Sequence, residues 1–194
     1  RLFTSPHDLL PKILELIQIE ADRSRAGQGG RIIIKLNALV DRTVIEALYR
    51  ASQAGVQIQI LCRGSCCLRP GMKGISENIR VTSIIDRFLE HSRIYVFGAT
   101  DDAEVMLSSA DWMPRNFVRR VEVMFPVLQP SLKRHILDQI LPTMLGDNVK
   151  TREMQPDGSY RRVIRAANTP PLRSQIRLLT GLPMEDITEG DVEK

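Results

Sequence analysis

The spacing of apolar residues changes along the chain, and each change marks an element. Leu10, Ile13, Leu14, Ile17 and Ala21 recur every three or four residues, which predicts an amphipathic helix. Asp8 stands where a cap is needed, and Pro11 falls in the first turn, where backbone N–H groups lack partners anyway. A basic, glycine-rich loop over 23–30 follows. The β-branched run Arg31-Ile32-Ile33-Ile34-Lys35-Leu36-Asn37 then reads as a strand buried on both faces. Asp41 can cap a second helix with Val44, Ala47, Leu48 and Ala51 turned inward, and Gly55 suits its end. Val56, Ile58 and Ile60 alternate with Gln57 and Gln59 as a second strand. A strand–helix–strand unit of this kind predicts parallel strands. Ligands in open α/β sheets sit beyond the carboxyl ends of such strands.

The pattern beyond this unit is less regular. Residues 63–78 form a long connection, and long connections in compact domains are usually functional or disordered. A helix is expected over 83–90, closed by His91, and then a strand over 93–98. Val105 and Leu107 mark a strand running into Ser108-Ser109-Ala110-Asp111, and 119–125 reads as another strand. On that strand Arg120 and Glu122 would share one face and Arg119 would take the other. Ser131 opens a helix carrying Leu132, Ile136, Leu137, Ile140 and Leu141. A strand over 149–154, a turn at Asp157-Gly158, a strand from Tyr160 to Val163 and a short helix from Pro171 complete the expectation. No internal repeat appears. The predicted fold class is α/β: one domain over 1–182 with a mixed sheet flanked by helices, and an acidic, disordered tail over 183–194.

Composition adds bounds. The 194 residues are 43% hydrophobic but only 5% aromatic, so the core must be aliphatic. Lys and Arg number 27 against 23 Asp and Glu, a net charge of +4. That excess is too mild to indicate nucleic acid. Cys62, Cys66 and Cys67 lie in one short segment without a second pair or a histidine at zinc spacing, so free thiols in a reducing compartment are expected. No apolar run reaches the length of a membrane span, and no signal peptide is visible. The chain begins at Arg1, which suits a piece cut from a longer protein.

Candidate chemistry concentrates between Lys35 and Phe125. His7 and His135 read as surface residues, leaving His91 among Arg63, Arg69, Arg80, Arg87 and Arg93. A histidine closing a helix has an ordinary structural reading, since helix carboxyl ends favour positive charge. The surrounding guanidinium groups point instead to phosphate, whose oxygens match their fork. Lys35 and Asn37 are either a solvated strand end or an ammonium and an amide offered to a phosphate. Ser109 and Asp111 are either a turn cap or part of the same site. Trp112, the one tryptophan, is expected in the core. No phosphate loop with the Gly-x-x-x-x-Gly-Lys-Ser/Thr pattern, no protein-kinase signature and no carboxylate pair suited to two metals is present.

Several runs together resemble the last domain of the large, autophosphorylating polyphosphate kinases of bacteria. They are Ala47-Leu48-Tyr49-Arg50-Ala51-Ser52-Gln53-Ala54-Gly55-Val56, Arg63-Gly64-Ser65-Cys66-Cys67-Leu68-Arg69-Pro70 and Ser76-Glu77-Asn78-Ile79-Arg80-Val81. Arg87-Phe88-Leu89-Glu90-His91-Ser92-Arg93, Ser109-Ala110-Asp111-Trp112-Met113-Pro114-Arg115-Asn116 and Asp157-Gly158-Ser159-Tyr160 continue the match. The resemblance implies one half of a phospholipase D-like pair of domains. It implies reversible transfer of the terminal phosphoryl of ATP to polyphosphate with Mg²⁺, through a phosphohistidine in an upstream domain. His91 matches the family's second, non-phosphorylated histidine and Arg63 its nucleotide-contacting arginine. Lys35, Asn37, Arg93, Ser109 and Asp111 complete the candidate ATP/phosphate-binding set. Metal ligands are expected upstream and none here, so this chain alone is expected to be inactive. The resemblance further implies a cytoplasmic homo-oligomer with the upstream domains, polyphosphate and ATP/ADP as partners; peripheral attachment to a membrane stays open. The phospholipase D superfamily usually carries His-x-Lys, whereas this chain has His91-Ser92-Arg93, which speaks against phosphodiester hydrolysis. A dimeric phosphodiesterase and a non-catalytic polyanion-binding module are the alternatives.

Overall fold

The computed structural model describes residues 1–99 and 102–181; the expected acidic tail lies outside the described residues. Along the chain run β1 (Phe3–Thr4), α1 (Leu9–Arg25), β2 (Arg31–Leu36), α2 (Arg42–Gln53), β3 (Gln57–Cys62), β4 (Ile79–Ile84), β5 (Arg93–Phe97) and β6 (Glu104–Ser108). There follow α3 (Pro114–Val118), β7 (Val123–Pro126), α4 (Pro130–His135), a π-helical stretch (Ile136–Ile140), α5 (Leu141–Leu145), β8 (Thr151–Met154), β9 (Tyr160–Arg162) and α6 (Ser174–Thr180).

All the described strands join one mixed sheet in the order β1-β7-β6-β5-β2-β3-β4-β8-β9. Its centre, β2-β3-β4, is parallel, and every other pairing is antiparallel. The run Ile32-Ile33-Ile34 is buried because both faces of the sheet are covered. Ile32 and Ile34 pack with α1 and α2 through Ile13, Ile17, Val44 and Leu48. Ile33 packs the other way, with Ile136 and Leu141. Asp41 caps α2 by accepting from the Val44 N–H at 3.2 Å.

The helical stretch on the second face owes its shape to spacing. Ile136 and Leu141 are five residues apart, and an α-helix would turn them to different sides. The π turn bonds the Leu141 N–H to the Ile136 carbonyl and brings both into the core. Pro142 follows directly; with no N–H to give, it cannot extend the regular ladder.

Several expectations need correction. Residues 83–90 are not a helix: Ser83 and Ile84 belong to β4, paired with Arg152 and Thr151 of β8, and residues 85–92 are irregular. His91 therefore sits in a loop. Residues 119–122 precede a strand that starts only at Val123, and the short helix α3 and strand β1 were not expected. The Asp8 side chain does not cap α1; it accepts from the Thr4 N–H at 2.6 Å. The last helix starts at Ser174, after Pro171.

Trp112 joins the core as expected, fully buried and tilted against Tyr95 with ring centroids 5.0 Å apart. Its backbone also clips two loops, because its carbonyl accepts from the Val40 and Asp41 N–H groups and its N–H donates to Ala38. Trp112→Ala is expected to lower unfolding stability by about 3–5 kcal/mol through the cavity it leaves, measured by urea unfolding followed by far-UV circular dichroism.

Candidate functional site

Strand register brings the candidate residues to one edge of the sheet. β3 runs parallel to β2 with Leu36 beside Cys62, so the next residues, Asn37 and Arg63, emerge side by side. β5 runs antiparallel with Ile94 beside Lys35, and β6 sets Ser108 beside Arg93. The carboxyl ends of β2, β3 and β6 thus meet the amino end of β5, which carries His91-Ser92-Arg93. The loops leaving these strands are joined by single bridges from Leu39 to Cys66 and to Trp112.

Asp111 organises this edge. Its Oδ1 accepts from the Asn37 N–H at 2.7 Å, the Ala38 N–H at 3.3 Å and Arg93 Nε at 3.2 Å, and its Oδ2 accepts from Arg93 at 3.0 Å. Burial pushes the Asp111 carboxyl up, but the Arg93 guanidinium and the two backbone amides outweigh it and hold it below the usual carboxylate range. Arg93 also donates to the His91 carbonyl at 2.8 Å. Its guanidinium is thus committed to the protein frame.

Lys35 is buried at 5% exposure. Its ammonium donates to the Ser92 carbonyl at 3.1 Å and pairs with Glu90 at 3.1 Å. Burial lowers its pKa; Glu90 opposes the shift without cancelling it. Glu90 was missed as a site residue. The signal was available: a lysine inside a strand buried on both faces requires a counterion. Ser109 donates to Glu122, which also accepts from Asn116 Nδ2 at 2.6 Å; the Ser109 hydroxyl accepts from the Val123 N–H at 3.0 Å. Glu122 is buried and lies just before β7, not on the strand face expected to carry it with Arg120.

Two candidates, Arg63 and His91, remain outside the Asp111, Lys35 and Glu122 contacts. Arg63 donates from Nε to Asn37 Oδ1 at 3.2 Å, and its terminal nitrogens carry no protein hydrogen bond among the described residues. His91 is exposed. A small cleft at Arg63 is lined by Lys35, Leu36, Leu61, Ile84, Glu90 and Met144. Cys62 is buried, Cys66 half-buried and Cys67 exposed, all as free thiols. Hydrogen bonding with Cys66, together with burial, pushes the Cys62 thiol up, which suits a packing role. No group of three or more His, Cys, Asp or Glu among the described residues could hold a metal ion. The carboxylates at the edge, Asp111, Glu90 and Glu122, are already paired, so these described residues do not fit a Mg²⁺ site.

A mixed sheet, parallel at its centre and covered by helices on both faces, defines a phospholipase D-like α/β fold. The fold is shared with a phospholipase D family member, Nuc from Salmonella typhimurium, at a TM-score of 0.57 and 14% identity, covering 80% of this chain and 97% of that one. The chain belongs to the family Polyphosphate kinase C-terminal domain 2, which matches residues 2–175. It is 52% identical over 178 residues to the polyphosphate kinase of Burkholderia ambifaria strain MC40-6, covering 92% of this chain and 26% of that relative. The polyphosphate kinase structure from Porphyromonas gingivalis superposes with a TM-score of 0.87 at 41% identity, covering 93% of this chain and 28% of that one. The chain therefore spans about a quarter of the length of the curated relatives it matches. No described helix is long and apolar enough to cross a membrane.

Two outcomes test this geometry. The Gly64 N–H donates to the Asn37 carbonyl at 2.8 Å, and a Cβ on Gly64 would meet that oxygen at 2.8 Å. Gly64→Ala must therefore displace the Asn37–Arg63 pair; a loss of roughly 1–3 kcal/mol is expected in denaturant unfolding. Asp111 has a folded pKa below its unfolded value. Its stabilisation is full above the ordinary aspartate value of about 3.9 and is lost as pH falls through the folded value. Urea midpoints measured from pH 7 to pH 2 should show Asp111→Asn less stable than the parent at neutral pH, with the gap closing below about pH 4.

Proposed function

We propose that this domain forms the nucleotide-facing part of a polyphosphate kinase that reversibly moves the terminal phosphoryl of ATP onto a growing polyphosphate chain. The observation that carries the reading is strand register: Arg63, just after β3, and His91, just before β5, lie at the same end of the sheet in a chain of the polyphosphate kinase family. Arg63 grips nucleotide phosphate oxygens with the guanidinium nitrogens left after its Nε bond to Asn37. His91 donates a hydrogen bond or proton to the departing phosphate oxygen, where charge develops during transfer. Asn37 orients Arg63. Lys35, Arg93 and Asp111 set the backbone on which His91 and Asn37 stand, and Lys35 and Arg93 add positive charge next to the phosphates. Ser109 closes the rim of the site. A phosphohistidine supplied by an upstream domain carries the phosphoryl group, and Mg²⁺ accompanies ATP on ligands outside this chain. Upstream domains of the same polypeptide, a second copy of the enzyme, polyphosphate and ATP/ADP are its partners, in the cytoplasm.

The structure also bears on phosphodiester hydrolysis. Where the phospholipase D superfamily has lysine, Arg93 spends its hydrogen bonds on Asp111 and the His91 carbonyl, so it lends charge to the site without gripping a substrate oxygen as a free lysine would. This favours the kinase reading.

The full-length enzyme carrying His91→Ala or Arg63→Ala is expected to lose about 10²-fold or more in kcat for ATP-dependent polyphosphate synthesis, with an unchanged melting temperature. The isolated chain should make no polyphosphate, because transfer requires the upstream nucleophile in line with the phosphoryl group. Parental rates in both variants would move the kinase site elsewhere and leave a polyanion-binding scaffold, recognisable by binding that falls steeply with salt.

A further inference from the structure

The loop that carries His91 has little apolar support of its own. Residues 85–92 contain no helix or strand, and Ile85, Arg87, Phe88, Leu89, His91 and Ser92 are exposed. Its order comes instead from polar bonds reaching nearly ninety residues along the chain. Asp86 receives two hydrogen bonds from the Arg173 guanidinium, at 2.8 and 2.7 Å, and both side chains are almost fully buried. Gln175 bonds both backbone groups of Phe88: its Oε1 accepts from the N–H at 2.8 Å, and its Nε2 donates to the carbonyl at 2.9 Å. That pair of bonds is what a residue on a neighbouring antiparallel strand would supply.

The same Gln175 Nε2 donates to Glu90 Oε1 at 2.9 Å. The other Glu90 oxygen pairs with Lys35 at 3.1 Å, and Lys35 donates to the Ser92 carbonyl at 3.1 Å. His91 is therefore bracketed on both sides by one relay that starts at Gln175. The relay has a fixed base. Asp147 accepts from the Ser174 N–H at 2.7 Å and from its hydroxyl at 2.8 Å, and Asn148 exchanges bonds with Leu172 at 2.8 and 3.1 Å.

We propose that Arg173 and Gln175 are positioning residues for His91, and that the segment 172–175 is a strap placing the imidazole for phosphoryl transfer. The inference rests on the kinase reading given above. The strap acts through the loop backbone, which it fixes at Phe88 directly and at Ser92 through Glu90 and Lys35. Buried, charge-assisted bonds suit this task because they fix direction as well as distance. A histidine that must meet one phosphate oxygen loses rate quickly when its backbone wanders.

The test uses the full-length enzyme with Gln175→Met, which keeps the side-chain length and removes the amide. A fall of about 10- to 10²-fold in kcat is expected, with the ATP KM within about threefold and a cooperative melt retained, its midpoint lowered by the lost bonds. In a His91→Ala background the same change should cost less than about twofold, because the strap then has no imidazole to place. Arg173→Lys, which keeps the charge but loses the two-bond fork, should show the same split with a smaller fall in kcat. This second variant decides the matter if Gln175→Met fails to fold. Parental kcat in both strap variants, or an undiminished loss in the His91→Ala background, overturns the inference while leaving the kinase reading standing. Parental activity of His91→Ala alone overturns both.

Discussion

The buried carboxylate of Asp111 is the constraint on which the site edge depends. It accepts four hydrogen bonds, from the backbone after β2 and from the guanidinium at the start of β5, while itself standing after β6. Three segments that approach from different strands are thereby held to one carboxyl group. Leaving any of these donors unpaired in a buried position would cost roughly 1–3 kcal/mol, more for the charged one. The backbone bonds of Trp112 to Ala38, Val40 and Asp41 continue the same join into the core.

Charged groups at this edge fall into two sets with different tasks. Lys35 with Glu90, Arg93 with Asp111 and Arg173 with Asp86 are low-exposure pairs that spend their charge on the protein. Such pairs contribute direction more than net stability, because desolvation offsets much of their attraction. Arg63 keeps terminal guanidinium nitrogens without a protein hydrogen bond among the described residues, and His91 is exposed. Of the other arginines named with them, Arg80 pairs with Glu153 on the sheet, and the Arg87 guanidinium lies 6.0 Å from the Phe88 ring centre.

Much of the fold was legible where local signals agreed. The isoleucine run of β2, the Asp41 cap, the inward face of α2 and the alternation in β3 each point the same way, and they form the parallel unit that carries Asn37 and Arg63. Residues 83–90 misled because Ile84, Ile85, Phe88 and Leu89 fall at helical spacing. Pairing of Ser83 and Ile84 with β8 won instead, and Asp86 and Phe88 were taken by Arg173 and Gln175. Helix bonding within the segment could not compete with a sheet edge and a buried ion pair arriving from the end of the chain.

By itself the sequence determined the α/β class, the parallel strand–helix–strand unit and the family of the chain, through periodicity, caps and runs of matched residues. It also singled out Arg63 and His91. The tertiary structure alone decided that His91 lies in a loop and not at a helix end, that Ser109 and Lys35 are engaged by Glu122 and Glu90, and that residues near 173 and 175 hold the histidine loop. The physical reason is range. Helix and strand propensities are read over a few neighbours, whereas a buried charge finds its partner wherever the folded chain brings one, and that place is not written in the spacing.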